Sequence, residues 1–266
     1  MRKRKDPRTP NKGYTVKLKT RNDSIKFGTN ILKVKVPSHL RRRIRVQRMP
    51  FLNDAFGGRG LTPSTVTLFT GEPGAGKTTM SLLMADRMTR SGQVVIFNTG
   101  EESLHQIKMT AERLKLKSGF QAGQETNVPQ LLENVEKVRK ANPKKDIVLI
   151  IDSLQTLDDG YYPNGHTNSK TAVRALEMLT NYAKDTFITV IVIGQVNKGG
   201  EMAGANTLKH MVDVKLHLGM VTNIKNPYLG ARFLRTDKNR FGPSGSVFYL
   251  GLNRTGFKEI ARESGV

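Results

Sequence analysis

Cysteine is absent from the 266 residues of this chain. Disulfide bonds, a thiol nucleophile and a cysteine-ligated zinc site are therefore excluded. The five histidines are scattered and lack the spacing of metal ligands. No apolar run reaches the length needed to cross a bilayer, and no apolar segment of a secretory signal follows the basic start of the chain. These absences predict a protein that acts inside the cell and has no membrane partner.

Acidic residues are also scarce. Lys and Arg number 44 against 22 Asp and Glu, which gives a net charge of +22 and a pI near 10.3. Residues 1–50 hold 17 Lys and Arg against two Asp, a net charge of +15, which leaves +7 for the remainder of the chain. Such an excess favours a polyanion, most often nucleic acid, over a passive basic surface or a membrane-surface binder.

Residues 1–50 are predicted to form a basic arm ahead of a domain at 51–266. The first 13 residues are basic and contain proline, a composition typical of disorder in the free protein. Partial alternation of apolar and basic residues over 14–36 indicates one or two short strands. Three adjacent arginines that lead into the domain are candidates for contacts with DNA phosphates: Arg41, Arg42 and Arg43.

Strands and helices alternate along the domain. Short apolar runs are typical of strands buried on both faces, and apolar residues at helical spacing predict the helices between them. The strands are predicted at 66–69, 94–97, 147–151 and 188–193, and the helices at 78–90, 103–116, 128–140 and 171–183. Three further strands are predicted at 212–218, 231–237 and 246–252. The pattern indicates an α/β fold with a mainly parallel central sheet and an antiparallel C-terminal edge.

A glycine-rich stretch at residues 71–79 fits the phosphate-binding pattern G-x-x-x-x-G-K-[ST] at every position. A strand precedes it and a helix follows, so backbone N–H groups and the positive helix end point at one place. Lys77 is expected to reach the β- and γ-phosphates of ATP as a catalytic residue, and the Thr78 hydroxyl to ligate Mg²⁺. The predicted nucleotide contacts are Gly71, Glu72, Pro73, Gly74, Ala75, Gly76, Lys77, Thr78 and Thr79.

Carboxylates follow two of the predicted strands. Asp152 ends the strand at 147–151, where a carboxylate can hold Mg²⁺ beside the loop; an ordinary loop cap is the alternative. Glu101 follows the strand at 94–97 and could deprotonate the water that attacks the γ-phosphate. Glu102 could do the same, or both could favour the start of the next helix through its dipole. Composition alone does not choose between the two.

Gln195 ends another apolar strand, and we expect its side chain to sense the γ-phosphate as part of the nucleotide site. The loop at 197–209 is rich in Gly and Ala, and such loops are mobile and can approach a nucleic-acid backbone closely. Lys198 and Lys209 are candidates for contacts with DNA phosphates. A solvated flexible loop is the alternative interpretation.

The pentapeptide Lys-Asn-Arg-Phe-Gly at 238–242 ends a predicted strand. Lys238 and Arg240 could reach a nucleotide held by a neighbouring subunit, where an arginine can stabilise charge on the transferring phosphate. Without further context, the alternative that these residues form only a basic β-turn is favoured.

Six stretches of the core point to one family: 100–103, 106–108, 111–114, 151–156, 208–213 and the pentapeptide at 238–242. In sequence, order and spacing they closely resemble the bacterial RadA/Sms DNA-repair ATPases, and the pentapeptide is the signature of that family. The resemblance extends from about Phe51 to Glu259, and it includes the glycine-rich approach Phe56-Gly57-Gly58.

The resemblance implies a RecA-like ATPase core that assembles into rings on DNA, as the related DnaB-type helicases do. It would make Glu101 the catalytic base, Asp152 the acid on the magnesium side and Gln195 the start of a DNA-facing loop. Lys238 and Arg240 would act on the nucleotide of the adjacent subunit. RadA proteins also carry a four-cysteine zinc module and a Lon-protease-like domain, which these residues lack, so we expect a minimal form whose basic arm contacts DNA or binds another partner.

The sequence therefore predicts a DNA-dependent, Mg²⁺-dependent ATPase of the RadA type, a hexameric motor in recombination and repair associated with the nucleoid. Helicase activity of this motor is a further expectation. Its expected partners are DNA, in single-stranded form, and a recombinase. A replicative helicase of the DnaB type and an ATP-gated scaffold that binds DNA without translocation are the alternatives. A signalling ATPase of the KaiC type shares the core, but the net charge and the pentapeptide disfavour it.

Overall fold

The structure, a computed structural model, describes residues 25, 27–162, 165–168, 170–196 and 205–265. These residues form one nine-stranded sheet in the order β3-β2-β4-β5-β1-β6-β7-β8-β9. The strands are β1 (Val66–Gly71), β2 (Val94–Thr99), β3 (Gln121–Gly123), β4 (Ile147–Asp152), β5 (Thr189–Gln195), β6 (Val214–Met220), β7 (Arg232–Asn239), β8 (Val247–Asn253) and β9 (Gly256–Glu263). Strands β1 to β6 run parallel, and β7, β8 and β9 extend the sheet in antiparallel pairs. The predicted α/β class with an antiparallel C-terminal edge is confirmed.

Helices cover both faces of the sheet. They are α1 (Pro50–Ala55), α2 (Lys77–Arg90), α3 (Leu104–Arg113), α4 (Val128–Ala141), α5 (Thr171–Thr186) and α6 (Ala205–Met211). Apolar residues of α1, α2 and α3 share one core cluster, and those of α4, α5 and α6 share the other. Because both faces are covered, β1 and β4 are buried along their whole length, as the apolar run at 147–151 predicts for β4. None of the helices formed by the described residues has the length and apolar character needed to span a bilayer.

The start of the chain differs from the prediction. The described part of 14–36 contains no strand, because Ile31–Lys33 form a 3-10 turn whose residues are exposed on all sides. Ile44 pairs with Leu61 and is fully buried, as is Val46. The packed core therefore includes residues ahead of position 51.

Four elements are absent from the sequence prediction: helices α1 and α6 and strands β3 and β9. Helix α6 occupies the second half of the segment that the Gly and Ala content assigns to a loop. Strand β3 has only three residues, and β9 carries charged residues at alternate exposed positions because it lies at the sheet edge. Elements this short or this polar lack the apolar periodicity on which the prediction depends.

A charged network joins α4 to α5 and provides a test of the fold. The Glu136 carboxylate accepts from Arg139 at 2.7 Å and from the Tyr182 hydroxyl at 2.8 Å. The hydrogen bond from Arg139 is the main cause that lowers the pKa of Glu136 from 4.5 to about 2. A lowered acid pKa stabilises the fold above the unfolded value, and this stabilisation is lost as the pH falls from about 4.5 towards 2.

We expect Glu136→Gln to lower the free energy of unfolding by about 1–2 kcal/mol at pH 7, a figure reduced for partial solvent exposure. Urea denaturation at pH 7 and at pH 3 measures it, and the deficit should shrink at the lower pH. Glu133→Gln, at an exposed position of the same helix, is the matched control. An equal deficit at both pH values would contradict the role of the charge.

Candidate nucleotide-binding and catalytic site

The phosphate-binding loop lies between the central strand β1 and helix α2. Gly76 precedes the helix with a φ of 103°, a left-handed conformation that favours glycine. A Cβ atom at Gly76 would also lie 2.8 Å from the Phe257 ring, so β9 closes one side of the loop. The sequence pattern thus adopts the strand–turn–helix geometry in which backbone N–H groups converge on an anion.

Lys77 is folded back onto its own loop. Its Nζ donates to the carbonyl oxygens of Gly71 and Glu72, each at 2.8 Å. Burial lowers the pKa of Lys77, while the carboxylates of Asp152 and Glu101 oppose that shift. A buried ammonium whose hydrogen bonds go to neutral carbonyl oxygens is suited to exchange them for phosphate oxygens.

Thr78 and Asp152 meet across the sheet edge. The Thr78 hydroxyl donates to Asp152 Oδ2 at 2.6 Å. Burial is the main cause that raises the pKa of Asp152 to about 6, and the nearby carboxylate of Glu101 adds to the rise. A cation beside these oxygens would favour the ionised carboxylate.

This pair fits the ligand preference of Mg²⁺. The ion takes one or two protein oxygens and completes its shell with phosphate and water. In the described part of the chain, no three His, Cys, Asp or Glu side chains form a metal cluster. The two oxygens therefore suit an ion that arrives with a nucleotide better than an ion held by protein alone.

The structure distinguishes Glu101 from Glu102. The Glu101 carboxylate accepts from the Ser153 hydroxyl and, at 2.7 and 2.8 Å, from Gln195 Nε2. The hydrogen bonds of Glu102 are made by its backbone N–H and carbonyl. A Cβ at Gly100 would lie 2.2 Å from Thr156 Oγ1, so the turn that carries Glu101 packs directly on the segment after β4.

Gln195 lies at the end of β5, paired in the sheet with Gly71. Its backbone is held by a residue that the sequence analysis missed. Gln155 Oε1 accepts from Gln195 N at 3.2 Å, and Gln155 Nε2 donates to Gln195 O at 3.1 Å. Gln155 thus pairs with the strand end as another strand would, and the Gln195 side chain is aimed at Glu101. No local pattern distinguishes Gln155 from an ordinary exposed glutamine.

Removing the Gln155 side chain should loosen Gln195 and, through it, Glu101. We expect Gln155→Ala to lower kcat for ATP hydrolysis about tenfold with little change in KM, because a positioned base contributes 10²–10⁴-fold in total. Steady-state kinetics measures both constants. Gln124→Ala, which removes an exposed amide bonded to the Glu102 carbonyl, is the control. A roughly tenfold rise in KM would instead indicate damage to nucleotide binding.

Lys238 and Arg240 lie near the ends of the strands opposite those that carry the phosphate loop of their own chain. The residue between them pairs with Val214 at the start of β6, whereas Gly71 pairs with Leu218 near its end. Roughly four residues of strand, about 13 Å, separate the two positions. These cations and the phosphate loop of the same chain therefore lie at opposite ends of the parallel strands.

Both cations contact the junction between α6 and β6. Lys238 Nζ donates to the carbonyl oxygens of Lys209 and Val212 at 2.9 and 2.7 Å. Arg240 forms an ion pair with Asp213 at 3.3 Å, and its guanidinium is half exposed. Lys238 thus contacts carbonyl oxygens at the end of α6, while the Arg240 side chain remains about half exposed.

The candidate DNA contacts are dispersed. Lys209 is exposed on α6, so it belongs to a helix and not to the predicted loop. Lys198 lies outside the described residues. The side chains of Arg41, Arg42 and Arg43 are exposed next to the buried Ile44.

Comparisons with known proteins agree with this architecture. Residues 62–197, half of the chain, match the AAA domain family. The DNA repair protein RadA of Chlamydia pneumoniae is 34% identical over 215 residues, which cover 80% of this chain and 45% of that relative. The protein of the same name from Mycobacterium tuberculosis strain H37Rv is 36% identical over 213 residues, 78% of this chain and 42% of the relative. The chain thus spans less than half the length of these two curated relatives.

A separately solved ATPase domain has the same fold. It matches 82% of this chain and 93% of its own chain with a TM-score of 0.70, at 16% identity. This likeness supports the RecA-like architecture alone. Sequence and fold lead to one assignment: the chain belongs to the AAA domain family, and its ATPase core is of the RadA type.

Proposed function

We propose that this chain is a DNA-dependent ATPase that assembles into a hexameric ring and moves on DNA during recombination and repair at the nucleoid. One observation carries the proposal: the phosphate loop and Glu101 occupy one edge of the sheet, whereas Lys238 and Arg240 lie towards the other. In a site shared between neighbouring copies, one copy contributes the phosphate loop and Glu101, and the next copy contributes Lys238 and Arg240. Head-to-tail contacts of this kind form rings when the rotation closes.

The hydrolytic step follows from the contacts around Glu101. Lys77 leaves its carbonyl partners for the β- and γ-phosphate oxygens of ATP. Glu101 takes a proton from the attacking water, whose oxygen bonds to the γ-phosphorus while the bond to ADP breaks. Ser153 and Gln195 hold the carboxylate in place for that transfer.

Thr78 and Asp152 would hold Mg²⁺, which neutralises charge on the β- and γ-phosphates when bound. Since the pKa of Asp152 is raised to about 6, the carboxylate is mostly ionised at neutral pH. Gln195 ends β5, and the predicted loop at 197–209 follows it in sequence. In this proposal that loop, with Lys198, and the helix carrying Lys209 contact single-stranded DNA, and a recombinase is the protein partner.

Steady-state ATP hydrolysis, measured without DNA, with single-stranded DNA and with duplex DNA, tests the proposal. Lys77→Ala is the blank, because it removes the ammonium that binds the phosphates. We expect single-stranded DNA to stimulate hydrolysis severalfold. Hydrolysis that is indifferent to DNA would refute the DNA-dependent motor and leave the nucleotide chemistry intact.

Two further outcomes would change the assignment. Unwinding of forked duplex with a defined polarity would favour a replicative helicase. An ATP-gated scaffold would be favoured by a different result. In that case DNA binding requires ATP, and a variant that cannot hydrolyse ATP still binds DNA and still functions.

A further inference from the structure

We propose that a cleft between the basic arm and the turn from α4 to β4 holds the phosphate backbone of single-stranded DNA. The cleft has a volume of about 370 Å³. Ser38, His39 and Arg42 of the arm line one side, and Lys144 and Lys145 line the other. The inference rests on the proposed function, because it assigns part of the DNA contact to named residues.

The cleft lies at the edge of the sheet opposite the phosphate loop. It is formed where α4 and α5 end and where β4 and β5 begin, and the loop follows the other end of the parallel strand β1. Residues of the cleft therefore do not touch the nucleotide site. A change there can alter DNA binding without altering the intrinsic chemistry.

Positive charge dominates the lining. Arg42, Lys144 and Lys145 are exposed, and none of them forms an ion pair with any residue in the described ranges. Asp146 is the acidic residue of the lining, and Arg139 is already paired with Glu136, which lies outside it. The C-terminal carbonyl groups of α4 and α5 also attract cations. Each helix end carries only about half a negative charge, so the two ends together do not balance three exposed cations.

The arm is fixed to the domain at this point. Phe187, at the end of α5, has a φ of 62°, a left-handed conformation that a bulky side chain rarely adopts. Its ring contacts the edge of the His39 ring, with centroids 5.9 Å apart. The 3-10 turn Ser38–Arg41 ends with Arg42 N donating to the His39 carbonyl at 3.3 Å. The backbone of Arg42 is thereby held in the turn, and its side chain lines the same cleft as the two lysines.

A nucleic-acid backbone fits this surface better than a small anion does. The cations are exposed and carried by long side chains, without the buried donors of a small-ligand site. In sequence, residues 1–26 hold ten Lys and Arg against two Asp, and Arg41, Arg43, Arg45 and Arg48 lie close to Arg42. Several separate cations suit a polymer with a phosphate at every unit, because each contact releases a counterion.

Fluorescence anisotropy with a labelled single strand, across salt concentrations from about 50 to 200 mM, tests the inference on the full chain. The Lys144→Gln/Lys145→Gln double variant should flatten the slope of log affinity against log salt by about 1.4, since each single-strand contact contributes about 0.7. Arg42→Gln should flatten it by about 0.7. Lys225→Gln/Lys258→Gln, a pair of exposed lysines outside the cleft, should leave the slope unchanged.

The outcomes separate the cleft from the proposed function. If the wild-type chain binds DNA and the Lys144→Gln/Lys145→Gln variant keeps the wild-type slope, the cleft is wrong and the DNA-dependent ATPase stands. If the wild-type chain binds no DNA, both fail. Binding to anionic lipid vesicles that requires the two lysines, without DNA binding, would replace the nucleic acid by a membrane surface. Two controls exclude misfolding of the variants: the rate of ATP hydrolysis without DNA and the thermal unfolding temperature should both equal those of the wild-type chain.

Discussion

Glu101→Gln is expected to lower kcat for ATP hydrolysis about 10³-fold, because an amide cannot take the proton of the attacking water. The Gln side chain keeps one oxygen that can accept from Gln195 or Ser153, so the local packing persists. Nucleotide affinity should change little, since Lys77 and the loop at 71–79 are untouched. Single-turnover hydrolysis and equilibrium binding of a fluorescent nucleotide measure the two effects separately.

Glu102→Gln is the matched control. The hydrogen bonds of Glu102 come from its backbone, so the substitution should leave kcat within about threefold. If Glu102→Gln were the inactive variant instead, the base would be the neighbouring carboxylate and the contacts of Glu101 would be structural. Equal losses in both variants would indicate that the acids share one electrostatic role. A Glu101→Gln protein that still drives DNA processing would refute the motor.

Arg240→Ala should lower hydrolysis by the assembled protein about 10³-fold, which is the contribution of an arginine finger. The alternative is purely structural, because Arg240 pairs with the buried Asp213. Loss of the pair would leave the buried Asp213 carboxylate without the charge of Arg240, and thermal unfolding would detect the lowered stability. Arg235→Ala, which breaks an exposed pair with Asp237 on the same strand, is the control and should keep its activity.

Mixing two inactive variants tests the shared site directly. Lys77→Ala lacks the phosphate-binding ammonium but keeps Arg240, whereas Arg240→Ala has the reverse defect. In a head-to-tail ring, an Arg240→Ala subunit can present its loop to the intact arginine of a Lys77→Ala neighbour. Random assembly restores about a quarter of the interfaces, so activity should recover to a measurable fraction. No recovery, with both variants incorporated into the same assembly, would mean that Arg240 does not act in trans.

The phosphate loop was predictable because its information is local. Nine consecutive residues specify the turn, the helix start and the contacts, and the strand before them is an apolar run. The buried strands of the parallel sheet were predictable for the same reason, since burial on both faces removes polar residues from the whole strand. Charge balance indicated a polyanion, because composition does not depend on folding.

Other parts of the site depend on contacts between distant residues. The contacts that distinguish Glu101 from Glu102 include Gln195, which is 94 residues away along the chain. The role of Gln155 follows from the end of β5, 40 residues away. Adjacent glutamates have the same chemistry in sequence, and only the direction of each side chain in the fold distinguishes them.

The sequence by itself determined the phosphate loop, the sheet that carries it, the excess of positive charge and the pentapeptide at 238–242. These features are set by composition and by short patterns. Only the tertiary structure decided that Lys238 and Arg240 lie away from their own phosphate loop, and that the arm meets Lys144 and Lys145 in a cleft. Strand order and register decide such positions, because they join segments that are far apart in the chain.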